Sequence, residues 1–311
     1  MRIITFGYQT WGHRTLSALL GGKHEVVLAV THPPSDHPYE QMWNDSVEDL
    51  ARDNGIPVVL AKKPDQALID AVRDADADII VANNWRTWLP KEIYDAPRFG
   101  TLNIHDSLLP KYAGFSPLIW ALINGETHVG VTAHLMDDSL DTGPIVAQQA
   151  VSVGAKDTTA DLFHRTVDII EPLVLHALDK ISSGSVERVE QDLSQATYFH
   201  KRSDDESHID FTWPADAIER LVRAQSDPYP NAFAIHEGTR LRVLQASVSN
   251  TRYGGTPGRI TIDDGNGVAV VCGPDAWKGG NRALVIERVR LEDGSDVAAR
   301  EYFAGTDRYL T

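Results

Sequence analysis

The sequence predicts an α/β domain on a mostly parallel sheet, followed by a small β-barrel. Three observations lead there. Short apolar runs alternate with helical patterns over residues 1–180, the signature of strand–helix–strand units. A Ser-Ser-Gly-Ser stretch at residues 182–185 closes that region. Residues 232–304 then alternate apolar and polar positions between turns at Gly238, Gly254, Gly255, Gly265, Gly279 and Gly280, the pattern of a small antiparallel barrel.

The opening MRIITFG reads as a buried first strand over residues 2–6. Strands follow at residues 26–31, 58–60, 78–82, 101–104, 129–136 and 145–151, each a short apolar run. Helices are predicted over residues 12–20, with Thr10 as a cap, then 46–54, 64–74, 116–123 and 158–182. A short amphipathic helix follows at 214–224. At 311 residues the chain has room for two domains and a substantial core.

Composition narrows the function. No apolar run reaches the ~18 residues of a membrane span, and no signal-peptide pattern opens the chain, so the expected location is cytoplasmic. Cys272 is the single cysteine, which rules out internal disulfides and thiol-rich metal sites. The scattered histidines, His32 and His37 included, show no metal-ligand spacing, so no metal is expected. Lys and Arg number 29 against 44 Asp and Glu, a formal charge of −15. A nucleic-acid binder needs a basic face, so no nucleic-acid partner is expected. The first strand runs into FGYQTWGH without G-x-G-x-x-G, and the second ends in Thr31-His32-Pro33 without a ribose-binding carboxylate. Both omissions argue against a nicotinamide dehydrogenase.

Two segments carry chemistry: TLNIHDSLLPKYAG at residues 101–114 and GVTAHLMDDSLDTG at residues 130–143. Asn103 and His105 are two apart, so a strand projects both to one face, at the carboxyl end where open α/β sheets bind ligands. His105 titrates near neutrality. Asn103 brings an amide donor for an oxyanion. Asp141 sits in a glycine-closed acidic turn. If the two apolar runs are neighbouring strands, their ends bring Asp141 beside His105, where a carboxylate raises the imidazole pKa and fixes its orientation. Such a trio can move an acyl group between nitrogens. Singly, each residue reads as an ordinary strand-end or turn polar group, with Asp137 and Asp138 as solvated neighbours.

Asn-x-His, Ser-Leu-Leu-Pro and Leu-Asp-x-Gly, in this order and spacing, resemble the formyltransferases that use 10-formyltetrahydrofolate, and the resemblance covers nearly the whole chain. It implies a Rossmann-like catalytic domain over residues 1–183, a linker at 184–206 and an OB-like barrel over 207–311. It implies Asn103, His105 and Asp141 as the catalytic residues, 10-formyltetrahydrofolate as co-substrate, and no metal. A free amine would attack the formyl carbon, Asn103 and His105 would hold the oxyanion, and Asp141 would pass a proton through a water. The folate pocket would draw on Asn84, Trp85, Arg86, Trp88 and Leu89, on Ser107 and Leu108, and on Asp137 and Asp138. Trp85 and Trp88 read equally well as core plugs. The acceptor pocket would draw on Gln9, Thr10, Trp11 and Lys111.

The acceptor divides the family. The tRNA-formylating branch has a basic insertion after the second strand, whereas residues 31–46 here hold no Lys or Arg. The loops FGYQTWGHRTL, THPPSDHPYE and ANNWRTWLP resemble enzymes that formylate the δ-nitrogen of N5-hydroxyornithine in siderophore biosynthesis, and also the aminoarabinose enzyme, whose substrate is a UDP-linked amino sugar. The expected acceptor is hydroxyornithine, whose nitrogen stays unprotonated near neutrality. The pathway partner would then be a siderophore synthetase. The amino sugar is the alternative, and a folate- or amine-binding sensor without turnover is the reading from another class.

Overall fold

The computed structural model describes residues 1–262, 267–304 and 309–311; the turn at Gly265 lies outside the described residues. The chain folds as two units. The first comprises residues 1–117, 128–152 and 163–200, and the second residues 118–127, 153–162 and 201–311. The first is Rossmann-like. Its strands are β1 (Arg2–Gly7), β2 (Glu25–Thr31), β3 (Val58–Leu60), β4 (Ile79–Asn83), β5 (Thr101–His105), β6 (Ala113–Gly114), β7 (His128–Leu135) and β8 (Ile145–Ser152), with β9 (Tyr198–Phe199) returning late. Seven of them form one sheet in the order β3-β2-β1-β4-β5-β7-β8. β1 to β5 run parallel, while β7 is antiparallel to both β5 and β8.

Both sheet faces are covered, as a parallel sheet requires. Ile4, Phe6, Leu28, Val30, Ile80 and Ala82 point one way, onto Leu68 and Val72 of α4 (Gln66–Asp74) and Ile93 of α5 (Lys91–Tyr94). Ala29 points the other way, among Leu16 of α1 (Gln9–Gly21) and Val47 and Ala51 of α3 (Val47–Asp53). α1 docks on β1 through bare backbone. A Cβ on Gly7 would stand 2.8 Å from the Gly12 Cα, and one on Gly12 would stand 2.5 Å from the Gly7 carbonyl carbon. The two glycines that form no dinucleotide fingerprint are thus packing residues.

Two local expectations change. The helix predicted over 158–182 is two helices, α7 (Thr159–Asp168) and α8 (Ile170–Ser182), after α6 (Pro117–Ile123). In one continuous helix the Pro172 ring would clash with the Asp168 carbonyl, and a restart at Ile170 puts that proline in a first turn. Thr10 is not a cap. α1 starts at Gln9, its cap residue Tyr8 makes no side-chain cap bond, and the Thr10 N–H donates to the Trp43 carbonyl at 2.8 Å. The short α2 (Pro38–Gln41) lies in the loop that supplies that carbonyl.

The second unit holds α9 (Ala215–Ala224) and an antiparallel half-barrel. Its strands are β10 (Ala232–His236), β11 (Thr239–Tyr253), β12 (Ile260–Ile262), β13 (Val268–Val270), β14 (Asn281–Arg290) and β15 (Asp296–Ala298). The order is β10-β11-β14-β13-β12, with β15 sharing β14. Among the described residues, no helix is long and apolar enough to cross a membrane.

Candidate active site

Asn103 and His105 sit at the carboxyl end of β5 and face the same side, as their spacing requires. The two runs are neighbouring strands, β5 and β7, and Asp141 comes from the loop after β7. β7 runs antiparallel, pairing Leu102 with Leu135 and His105 with Thr132, so β7 ends beside the start of β5 and the following loop folds back. That return is tightly made. A Cβ on Gly143 would stand 1.8 Å from the Leu135 carbonyl oxygen, Asp141 adopts φ +55°, and the Gln191 side-chain amide donates to the carbonyls of Asp141 at 2.9 Å and Gly143 at 2.7 Å.

The Asp141 carboxylate is then fixed at both oxygens. Oδ2 accepts from the Gly114 N–H at 2.8 Å and lies 3.8 Å from His105 Nδ1. Oδ1 lies 3.5 Å from Asn103 Nδ2 and 3.7 Å from His134 Nε2. Burial disfavours its charge, but His105 and the Gly114 N–H outweigh that, and the Asp141 pKa falls well below the ordinary range. Burial also works against a charged His105, yet Asp141 and Asp106 prevail and its pKa rises. His105 Nε2 donates to the Tyr112 carbonyl at 2.9 Å, which leaves Nδ1 as the nitrogen available to a substrate.

His134 was not singled out from sequence, yet it aims Asn103. It lies opposite Asn103 across the strand pair. Its Nδ1 donates to the Leu135 carbonyl at 3.1 Å and its Nε2 accepts from Asn103 Nδ2 at 3.1 Å. One amide hydrogen of Asn103 is thereby committed, and the other makes a long bond to Asp141 Oδ1 at 3.5 Å. Thr132 and Gln148 were missed too. The Thr132 hydroxyl donates to the Ser107 carbonyl at 2.7 Å, while Gln148 donates to the Leu109 carbonyl at 3.0 Å and to Thr132 at 2.8 Å. The Ser107 hydroxyl closes the loop on the Lys111 carbonyl at 2.9 Å. Leu108 packs close to Gly130, where an added Cβ would stand 2.5 Å from its Cδ2. β6 pairs with β9, and the Tyr112 N–H donates to the Thr197 hydroxyl at 2.9 Å. No single sequence window could reveal such partners, because register and topology bring them in.

The other predicted residues line two further loops. After β4, Asn84 donates to the Tyr8 carbonyl at 3.1 Å and to Gln9 Oε1 at 3.2 Å. Arg86 donates to Gln9 Oε1 at 2.6 Å and pairs with Glu40 at 2.8 Å. Gln9 in turn donates to the Glu40 carbonyl at 2.7 Å. Trp85 stacks on His32 with ring centroids 4.0 Å apart and packs against the core with buried Leu89. His32 Nδ1 donates to the Ala61 carbonyl at 2.9 Å, Nε2 accepts the Arg86 N–H at 3.3 Å, and burial lowers its pKa; it is a neutral strut. Trp88 is 57% exposed. Asp138 accepts from the Tyr94 hydroxyl, and Asp137 accepts from the Ser139 N–H at 3.0 Å and the Thr142 hydroxyl at 2.7 Å. Trp11 packs edge-on against Phe163 at 4.8 Å. The exposed Lys111 lies on the loop after β5.

The family model for formyl transferase matches residues 1–178, and that for the formyl transferase C-terminal domain matches residues 201–307. The chain is 32% identical over 314 residues to the methionyl-tRNA formyltransferase of Lachnospira eligens, covering 98% of each protein. It is 33% identical to that of Pseudomonas fluorescens, covering 97% of this chain and 92% of the relative. Two solved structures share the fold. One is an N-formyltransferase from Helicobacter canadensis in complex with folinic acid and dTDP-3-aminofucose, with TM-score 0.69, 19% identity, 91% of this chain and 98% of that one. The other is HypX from Aquifex aeolicus in complex with tetrahydrofolic acid, with TM-score 0.61, 19% identity, 99% of this chain and 48% of that one.

Proposed function

The chain belongs to the formyl transferase family, and we propose that the amine it formylates is a small molecule, the δ-nitrogen of N5-hydroxyornithine. It is a formyl-transferring enzyme with a formyl-folate co-substrate. The co-substrate fits the residues present, since Trp85 Nε1 and Thr87 Oγ1 are buried without hydrogen-bond partners on the expected folate loop, and a heterocycle rich in polar edges could satisfy them. When bound, 10-formyltetrahydrofolate supplies the formyl carbon and the leaving nitrogen N10.

The residues of this chain do the rest. The Asn103 N–H that makes only a long bond to Asp141, and the Nδ1–H of His105, take the charge that builds on the formyl oxygen. Asp141 is a poor resting base because its pKa is depressed. It keeps His105 charged and holds a water that relays the proton lost by the amine toward N10. The amine's bond to the formyl carbon would put charge on the formyl oxygen, and the return of that charge would release N10, so one proton leaves the amine and one arrives at N10.

The small-amine reading is carried by residues 31–46, which contain no Lys or Arg; an RNA-gripping loop would need several. The same loop is fastened to the site by Glu40 and Arg86. A hydroxylamine nitrogen is largely unprotonated at neutral pH, whereas an alkylamine (pKa about 10.4) must first lose a proton. The second reading is methionyl-tRNA formylation, which the names of the relatives favour. The test is side-by-side turnover of N5-hydroxyornithine, ornithine, a UDP-linked 4-amino sugar and charged initiator tRNA with 10-formyltetrahydrofolate. Product with hydroxyornithine alone supports the proposal. Product with the tRNA or the amino sugar replaces it while keeping the trio.

A further inference from the structure

We propose that Gln191 is a positioning residue for the reaction: its amide holds the Asp141 backbone in the conformation that delivers the carboxylate to His105. This rests on the formyl-transfer reading and adds to that site a residue from outside both motif segments.

Gln191 lies 50 residues beyond Asp141, on the segment after α8, and a backbone register brings it back. Ile145, the first residue of β8, and Val189 exchange both backbone hydrogen bonds as an antiparallel pair, at 2.8 and 2.9 Å. Continued for two residues, that register sets Gln191 opposite Gly143. Its Nε2 then donates to the Gly143 carbonyl at 2.7 Å and to the Asp141 carbonyl at 2.9 Å. Carbonyl oxygens only accept, so the nitrogen is the end that must face them. The other end gains nothing, since Gln191 Oε1 is buried without a hydrogen-bond partner. Burying an unmet acceptor works against stability, so the donor end is what this side chain supplies.

The two bonds fall on the strained part of the loop. Asp141 sits at φ +55°, in the left-handed region that a residue with a Cβ rarely adopts. One amide bound to the carbonyls on both sides of Thr142 sets the peptide planes that leave Asp141 and Gly143. With those planes set, the carboxylate stands 2.8 Å from the Gly114 nitrogen and 3.8 Å from His105 Nδ1. Once released, Asp141 can relax to negative φ, which turns its Cβ and withdraws the carboxylate. Gly114 in turn pairs with Phe199 of β9. The loop that carries the carboxylate and the donor that receives it are therefore both held by the segment from Val189 to Phe199. Gln191 touches no reacting atom, so its effect passes through Asp141 and is read on His105. The charged groups that act on His105 are Asp141 and Asp106, and of the two Asp141 is on the loop that Gln191 holds.

The experiment uses the full chain with Gln191→Met, which keeps the length and removes both donors, and Gln191→Asn, which leaves the amide one methylene short. His105 is titrated by NMR of ring-labelled protein, its signal assigned with His105→Gln. Turnover is measured with 10-formyltetrahydrofolate and whichever of N5-hydroxyornithine, ornithine, a UDP-linked 4-amino sugar and charged initiator tRNA the wild type formylates. Both variants should lower kcat about tenfold or more with both KM values held. His105 should titrate at lower pH than in the wild type, because the carboxylate beside it has withdrawn. A general loss of stability would lower Tm and leave the His105 titration of the folded protein where it was. An unmoved His105 titration in both variants, or an unchanged kcat, overturns the proposal. If Gln191→Met fails to fold, Gln191→Asn decides on the same two readouts. A wild type that formylates none of the four acceptors rejects the formyl-transfer reading, and the titration then decides by itself whether Gln191 places Asp141.

Discussion

Around β5 and β7 the polar groups are matched almost one to one. Asn103 meets His134, Asp141 meets the Gly114 N–H, His105 meets the Tyr112 carbonyl, and Thr132 and Gln148 fasten the intervening loop. Around the ends of β1 and β4 the picture reverses. Trp11 Nε1, His13 Nδ1, Trp85 Nε1 and Thr87 Oγ1 are buried without hydrogen-bond partners. Both regions border the same sheet edge and obey the same rule that buried polar groups want partners. The first has them already, so its geometry exists before any substrate arrives. The second leaves polar atoms for a ligand to satisfy, and the proposed function puts recognition there and chemistry beside it.

Mutations can break that contrast. His105→Ala should lower kcat about 10³-fold, with folate affinity nearly unchanged by titration; a parallel loss of folate binding would place His105 in recognition instead. His134→Ala touches no reacting atom but frees the Asn103 amide. It should cost about 10²-fold in kcat, and His134→Gln should recover part of it. Gly143→Ala drives a methyl into the Leu135 carbonyl and should reduce folding stability by about 1–3 kcal/mol in urea melts. An unchanged melt would mean that the return loop has slack.

The His105–Asp141 pair also sets a pH signature. The His105 pKa stands above 6.5 when folded, so its contribution is complete below 6.5 and fades as pH rises through the raised value. The Asp141 pKa is depressed, so its contribution is present above 3.8 and is lost only as pH falls through the lower folded value. The Tm gap between wild type and His105→Gln should hold between those limits and shrink as pH climbs above 6.5. A gap that widens there would mean His105 is not charged in the fold. On the recognition side, Arg86→Gln breaks a largely buried pair with Glu40 and a bond to Gln9. It should cost about 1 kcal/mol of stability while making residues 31–46 quicker to be nicked by protease.

Much of this was legible in the residues. The alternation of apolar runs marked the seven strands of the large sheet but not β6 or β9, and the two motif segments marked Asn103, His105 and Asp141. Pro172 carried the signal for the break between α7 and α8, and a long helical pattern hid it. His134 read as one more polar residue in a strand, because what distinguishes it is the residue across the ladder. Gln191 stands beyond any local window and acts only once its segment returns to the Asp141 loop. Trp85 was balanced between plug and pocket. Its ring packs into the core as a plug, while its unbonded indole nitrogen is the atom on which the proposed pocket role rests.

The pairing of β6 with β9 has a consequence for the order in which the protein is made. All strands of the large sheet have been synthesised once β8 is out, and the trio is complete just before β8 begins. Yet Tyr112, Ala113 and Phe115 draw their backbone partners from Thr197 and Phe199, and Gly114, which holds Asp141, sits between them. A nascent chain therefore owns the three side chains of the proposed function before it can fasten them. A fragment ending at residue 183 would carry the whole trio and leave it unclasped.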